Sequence, residues 1–263
     1  GITSAIGAAK HWPHAKRIAS IQPDYSYGRN VHEHFTLAFQ KLVPGATVVS
    51  EAWPKLGTTD FTAHITKVIS DKPDILICGV WGGDYVAFYK QALRYGLFDK
   101  MKVATTLAFG GQPHAIGKDH PEGVWAGAHA NYFFTAPRKG RWPLNDSFVE
   151  RYHKRWNEYP TFAAEGAYTS LYVLKAAVEK ANKLVGGWPE EDAIIAMLEG
   201  MGIDAPSGYT YIRPDNHQGY KDTVIGLSKN DPAYDFPIWD PDTVLTIPIR
   251  DITAPPNWPK PGT

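Results

Sequence analysis

The sequence predicts an α/β fold: a parallel sheet with helices on both faces. Three observations predict it. Between residues 17 and about 110, strand-like runs alternate with helical patterns in the order β-α-β-α-β-α-β. The connections between them are short, as crossover units require. The third strand-like run, "DILICGV" (74–80), is apolar after its first residue, which suits a strand covered on both faces.

Each element has its own signal. "RIASIQ" (17–22) is the first strand. Beyond Gly28, Val31, Phe35, Ala38, Phe39 and Leu42 fall on one helical face, and "PG" at 44–45 stops that helix. "ATVVSEAW" is the second strand. "LGTTDF" follows, with Thr59 or Asp60 placed to cap a helix whose buried face is Phe61, Ile65, Val68 and Ile69. "DILICGV" leads into "WGGD", which opens a third helix. That helix carries Tyr85, Phe88, Tyr89, Ala92 and Leu93 on one side, with Gly96 as its C′ residue. "KVATT" is the fourth strand and runs into "LAFGGQPH".

The second half changes style. "EGVWAGAHANYFF" reads as one or two strands. "DSFVERYHKRWNEYP" is a helix with Phe148, Tyr152 and Trp156 in register. The long helix "FAAEGAYTSLYVLKAAVEKANKL" is expected to turn Leu171, Leu174 and Val178 inward. "PEEDAIIAMLEG" is a short helix with Pro189 near N1 and Gly200 as its stop. "SGYTYIRPDNHQGYKDTVIGLS" reads as two strands around a turn. The tail, 229–263, is rich in Pro and Asp with one strand-like run, "TVLTIPI".

Composition excludes several functions. The 263 residues balance 27 Lys+Arg against 27 Asp+Glu, so no basic field draws nucleic acid or anionic lipid. Cys78 is the single cysteine, which excludes an internal disulfide and a thiolate metal cluster. No stretch reaches the ~18 apolar residues of a membrane span. The start has no basic n-region or apolar h-region, and the chain reads as a processed form or a fragment.

In a parallel sheet of this kind, ligands sit beyond the carboxyl ends of the strands. Four segments project there: "QPDYSYG", "EAWPKLGTT", "GVWGGD" and "TTLAFGG". They carry Tyr25, Tyr27, Trp53, Trp81 and Phe109, with Asp24, Gly83, Asp84, Thr105 and Thr106. Edge tyrosines serve either as lids on the core or as ligand contacts, and both readings stand. The phosphate-binding glycine motifs and the G-x-S-x-G elbow are missing, so no catalytic residue or cofactor is assigned. In "HEH", His32 and His34 fall on different helix faces and make no metal pair. His217 is expected to bond backbone at a turn.

"DYSYGRN", then "LGTTDF", then "DILICGVWGGDYVAFYKQALRYGL" resemble the type I periplasmic substrate-binding proteins, most of all the branched-chain amino acid binders of ABC importers. "GAYTSLYVLKAAVEKA" and "APSGYTYIRPDNHQGYKDTVIG" resemble that family's later helix and hairpin. The resemblance implies two α/β lobes that close on a ligand about a hinge, with most of the first lobe absent from this chain. It assigns residues 1–128 to the second lobe, 129–222 to a return segment packing on the first lobe, and 223–263 to final strands and tail. It implies an extracytoplasmic, periplasmic role, a small-molecule ligand, permease and ATPase partners, and a first-lobe piece elsewhere.

Residue by residue, Tyr27 matches a tyrosine that packs on the ligand, and Asp84 holds a contact position where amino acid binders favour an aromatic. The acid expected after the fourth strand is missing from "TTLAFGG". Asp84 either replaces it as acceptor of a ligand amine or caps its helix. Trp81 and Phe109 suggest a flat or apolar ligand, so an amino acid, an amide and an aromatic or other organic acid all remain open. The alternative is a sensor of amides or amino acids, or an enzyme, on the same lobes.

Overall fold

The computed structural model describes residues 1–253. The tail beyond Thr253 lies outside the described residues. Two units form. The first comprises residues 1–129 and 224–245; the second comprises 130–223 and the segment from 246.

The first unit opens with α1 (Ile2–His11) and β1 (Arg17–Ile21), then α2 (Ser26–Leu42), β2 (Thr47–Ala52) and α3 (Thr62–Ser70). It continues through β3 (Ile75–Cys78), α4 (Gly82–Arg94), α5 (Leu97–Lys100), β4 (Lys102–Thr105), α6 (Gln112–Ile116) and β5 (Trp125–Gly127). The second unit holds α7 (Pro143–Trp156), α8 (Phe162–Val185), α9 (Glu191–Leu198), β6 (Gly202–Ala205), β7 (Gly208–Ile212) and β8 (Gly219–Tyr220). The chain then runs on through β9 (Thr223–Lys229), β10 (Ile238–Trp239) and β11 (Leu245–Ile247).

The main sheet runs in the order β10-β9-β5-β4-β3-β1-β2, and β11 also pairs with β9. From β2 to β5 the pairs are parallel, with Ile18 opposite Ile75 and Cys78 opposite Thr105. β5–β9 and β9–β10 are antiparallel. Every residue of β3 is fully buried, because both faces of the sheet are covered. Side chains alternate across a strand. Ile75 and Ile77 therefore join Ile18, Ala104 and Trp125 under Ala5, Ala8, Val31, Phe35 and Phe39 of α1 and α2. Leu76 and Cys78 point the other way. Phe61, Ile65 and Val68 of the α3 segment and Tyr85, Phe88, Tyr89 and Ala92 of α4 are buried as well.

α1 reaches the sheet through small residues. Ser4, Ala5, Gly7 and Ala8 are its buried positions, and Ser4 Oγ donates to the Thr105 carbonyl at 2.8 Å. A Cβ on Gly7 would overlap the indole of Trp125, which has no exposed surface and cannot yield.

His120 is the other tightly held group. Its ring stacks on Tyr89 at 5.7 Å, its Nε2 lies 3.3 Å from the Tyr85 hydroxyl, and its Nδ1 lies 2.9 Å from the Pro121 carbonyl oxygen. Burial pushes its pKa down to about 4, against the opposing pull of the Pro121 carbonyl.

The second unit has an antiparallel sheet, β6-β7-β8. Its buried polar centre is Glu165, 1% exposed. Thr169 Oγ1 and Ser207 Oγ donate to Oε1 at 2.8 and 2.7 Å, and Lys221 Nζ lies 3.5 Å from Oε2. The carboxylate is thus fully partnered, as burial of a charge demands.

Several expectations need correction. Leu42 and Leu93 carry the right helical phase but are exposed, at the rim of faces whose last turns bury Phe39 and Ala92 instead. The 122–134 stretch supplies only the three residues of β5. The stretch after Ser207 splits: β7 and β8 make a hairpin, and β9 joins the main sheet. Pro189 precedes the N-cap Glu190 rather than occupying N1. Leu171 and Leu174 are 67% and 49% exposed. The residues α8 buries are Glu165, Ala177 and Ala181, and Leu174 lines an open depression with Leu198 of α9 and Thr210 and Ile212 of β7.

Two outcomes follow. Gly7→Ala should lower stability by about 2 kcal/mol through overpacking, despite the better helix former. Leu171→Ser should change it by less than about 0.5 kcal/mol, because the side chain is already in water. Urea midpoints read by tryptophan fluorescence check both. His120 stays neutral in the fold, whereas the unfolded group titrates near 6.5. Its stabilising effect is therefore present above pH 6.5 and is lost as pH falls toward 4, by about 3 kcal/mol in all. His120→Gln should remove that part of the acid sensitivity in melts taken between pH 7 and 4.

Candidate functional site

The carboxyl edge of β1, β3 and β4 gathers most of the residues that the sequence singles out. β1 ends at Ile21; Gln22 and Pro23 are buried, and α2 begins at Ser26. Gly28 allows this tight entry, because a Cβ there would overlap the Pro23 carbonyl oxygen. The entry swings Tyr27 over the sheet edge. Its hydroxyl hydrogen-bonds the Thr106 hydroxyl at 2.7 Å, just beyond β4. Burial raises the Tyr27 pKa far above the usual phenol range, although the Thr106 bond works against it. The hydroxyl is therefore neutral and can donate or accept.

Tyr25 lies beside it, with ring centroids 5.7 Å apart. Trp81, at the start of α4, donates its indole N–H to the Tyr25 hydroxyl at 3.0 Å. The Trp81 ring meets His129 edge-on at 6.2 Å. Burial lowers the His129 pKa below the usual imidazole range. Tyr25, Tyr27, Trp81, Thr106 and His129 thus form one shelf, which is partly exposed throughout.

Both helices at the shelf begin without a capping side chain: Tyr25 is the N-cap of α2 and Trp81 that of α4. Their first-turn amides lack helix partners and favour a hydrogen-bond acceptor or negative charge. A Cβ on Gly83 would meet nothing within 4 Å, so space is open beside the start of α4. Asp84 neither caps α4 nor stands clear: its Oδ2 accepts the Gly57 amide at 2.8 Å.

Phe109 sits apart from the shelf. It is fully buried, stacked on Trp239 at 5.8 Å and edge-on to His120 at 5.7 Å. Only its backbone serves the edge, donating to the Gly127 carbonyl at 2.9 Å. Thr105 is also buried, with its hydroxyl 3.5 Å from the Trp125 carbonyl of the adjacent β5.

A second layer borders the shelf at β2. Arg29 pairs with Asp24, and its guanidinium lies 3.6 Å from the centre of the Trp53 ring. Trp53 donates its indole N–H to Glu51 at 3.2 Å. His32 Nδ1 lies 3.0 Å from the Ser20 hydroxyl, and Gln22 Nε2 donates to the same oxygen at 3.1 Å. His32 therefore bonds inward to Ser20 of β1. His217 bonds Glu199 at 2.9 Å rather than the expected backbone. Among the described residues no group of three or more His, Cys, Asp or Glu could hold a metal ion. Burial raises the Cys78 thiol to about 12, so it has no thiolate character at neutral pH.

Sequence reasoning missed Arg29 and His129. His129 could have been found, since it follows β5 as Thr106 follows β4. Arg29 could not, because its stack on Trp53 joins the first turn of α2 to the loop after β2. On the opposite, amino-terminal edge a depression of about 480 Å³ is lined by His11, Trp12, Asp74, Phe98 and Lys102. Asp74 there accepts the Lys16 and Arg17 amides and closes that end of the sheet.

No curated protein matches the chain significantly. Among solved structures, an amino acid ABC transporter substrate-binding protein from Pseudomonas fluorescens Pf-5 aligns with a TM-score of 0.74 and 23% identity over 92% of this chain. An ABC transporter solute-binding protein from Rhodopseudomonas palustris BisB5, in complex with 3,4-dihydroxybenzoic acid, aligns at 0.76 and 23% over 96%. An ABC-type branched-chain amino acid transporter protein from Rhodopseudomonas palustris CGA009 aligns at 0.73 and 25% over 98%. The chain spans 61%, 66% and 67% of these three proteins in turn. At this identity the likeness is one of fold. A family model described as "periplasmic binding protein" matches residues 1–230, and with that match over most of its length the chain belongs to the periplasmic binding protein family.

Proposed function

We propose that this chain is the main part of an extracytoplasmic solute-binding protein that captures a small organic acid or amide for an ABC importer, without chemical turnover. The observation that carries the reading is the shelf: Tyr27 bonded to Thr106 and Trp81 bonded to Tyr25, beside two uncapped helix starts. The rings offer a flat apolar face, and the hydroxyls and first-turn amides offer polar groups that fix a carboxylate or amide. The flat acid bound by the Rhodopseudomonas palustris protein, 3,4-dihydroxybenzoic acid, has this chemistry. A location in the periplasm, with permease and ATPase partners, follows from the family reading.

Lack of turnover fits the burial of Ser20. Among the described residues Ser20, His32 and Glu51 come nearest to a nucleophile relay. The serine has no exposed surface, and His32 Nε2 stands 3.9 Å from Glu51. A substrate could not reach that hydroxyl. The second part of the proposal concerns α8. Its exposed leucine face fits a further α/β lobe, the counterpart of the third or more of the matched proteins that this chain does not span.

Native mass spectrometry of the gently purified protein tests both parts. The expected result is a small extra mass, released on activation. Trp81→Ala should weaken capture at least about tenfold, as loss of an aromatic anchor does. Tyr27→Phe should weaken it less, by the one hydrogen bond it removes, worth about 1 kcal/mol. A chain that carries nothing, and that binds no member of a panel of amides, aromatic acids and amino acids, would defeat the capture reading. A stable particle of chain mass whose leucine face binds no added lobe would defeat the second part.

A further inference from the structure

The β2–α3 loop, residues 53–61, is fastened to the side of one helix. Asp84 and Gln91 of α4 are seven residues apart, two turns along the same face. Asp84 Oδ2 accepts the Gly57 amide at 2.8 Å. Gln91 Oε1 accepts the Phe61 amide at 2.7 Å, and its Nε2 donates to the Thr59 carbonyl at 2.8 Å. The loop thus gives three backbone groups to two side chains. Phe61 anchors its end, fully buried and edge-on to Phe88 of the same helix at 5.7 Å. At its beginning the Pro54 carbonyl accepts the Asp24 amide at 2.8 Å, which ties the loop to the shelf. Gly57 sits at φ +82°, a backbone position the clamp holds in place.

The same bonds bear on what the edge can recognise. Asp24, Glu51 and Asp84 are the carboxylates on the four post-strand segments, and Asp60 follows the second of them. Asp24 pairs with Arg29. Glu51 accepts the Trp53 indole, and Asp60 accepts the Thr62 amide at 2.9 Å. Asp84 holds Gly57. Each already accepts a hydrogen bond within the protein, and Asp24 is charge-paired with Arg29. A ligand amine would share a carboxylate that already serves the protein, whereas the shelf hydroxyls and the α2 and α4 amides are placed to meet a carboxylate or a neutral polar group.

We infer that Asp84 and Gln91 are positioning residues that clamp the 53–61 loop as a fixed wall of the ligand edge, and that this edge selects solutes without a cationic amine. The second half rests on the binding function proposed above; the clamp does not.

The test combines amide hydrogen exchange with titration, on the wild type and on Asp84→Ala, Asp84→Asn and Gln91→Ala. 4-Hydroxybenzoate and leucine serve as probes. Asp84→Ala should speed exchange at Gly57, and Gln91→Ala at Phe61, by about tenfold or more while the thermal melt stays cooperative. Asp84→Ala should also weaken 4-hydroxybenzoate binding. Asp84→Asn keeps an acceptor oxygen without the charge, so it should restore both Gly57 protection and binding. Leucine should bind the wild type at least about tenfold more weakly than 4-hydroxybenzoate.

Unchanged exchange at Gly57 in Asp84→Ala would overturn the clamp. Tight leucine binding that Asp84→Asn abolishes would make Asp84 an amine acceptor and overturn the selection. Failure of both probes on every variant would overturn the binding reading together with its amine-free corollary, and the exchange data would still decide the clamp.

Discussion

A parallel sheet has to be covered on both faces at once, and the rest of the first unit depends on that constraint. β3 shows it most sharply: Ile75 and Ile77 feed the core under α1 and α2, while Leu76 and Cys78 are buried on the other side. A strand of this kind returns to its starting edge only through a crossover, and the crossovers here are helices. The loops after β1, β2, β3 and β4 are therefore forced to one edge. The edge is left with helix starts, and helix starts carry amides without partners. The covering of the parallel sheet on both faces is thus what gathers these polar groups at one edge.

The two tyrosines of "DYSYG" make sense against that background. Small polar residues would satisfy the first turn of α2 locally. Here the hydroxyls reach further. Tyr27 joins the loop after β1 to the loop after β4, and Tyr25 joins it to the loop after β3. Asp24 joins it to the loop after β2 through the Pro54 carbonyl. Gly28 makes the geometry possible by letting the helix close on Pro23. The turn braces the edge, and the uncapped amides stay available.

Much of the fold was legible because it rests on local periodicity. The faces of α2, α3 and α4 follow from i, i+4 spacing, and β3 from an unbroken apolar run. Periodicity reports which face is apolar; it does not report what covers that face. Leu171 and Leu174 illustrate the gap: their phase on α8 is clear, yet they lie in water. Phe109 illustrates another: its place after β4 put it on the edge, while its ring packs inward on Trp239, a residue 130 positions away. The position of Asp84 at the start of α4 suggests a cap or a ligand acceptor. Its partner is Gly57, 27 residues earlier, and no spacing rule reaches that far.

The braces also bear on how such an edge could discriminate. A loop that must be ordered by its ligand subtracts that ordering from affinity, and does so for every ligand alike. A loop ordered beforehand leaves more of the binding energy to depend on the ligand's own groups. The three bonds from Asp84 and Gln91 and the burial of Phe61 order the 53–61 segment with no ligand present. They also engage the one carboxylate at the start of α4. Under the selectivity proposed above, rigidity and selectivity would share one source: Asp84, which fixes the wall through Gly57, is also the carboxylate at the start of α4.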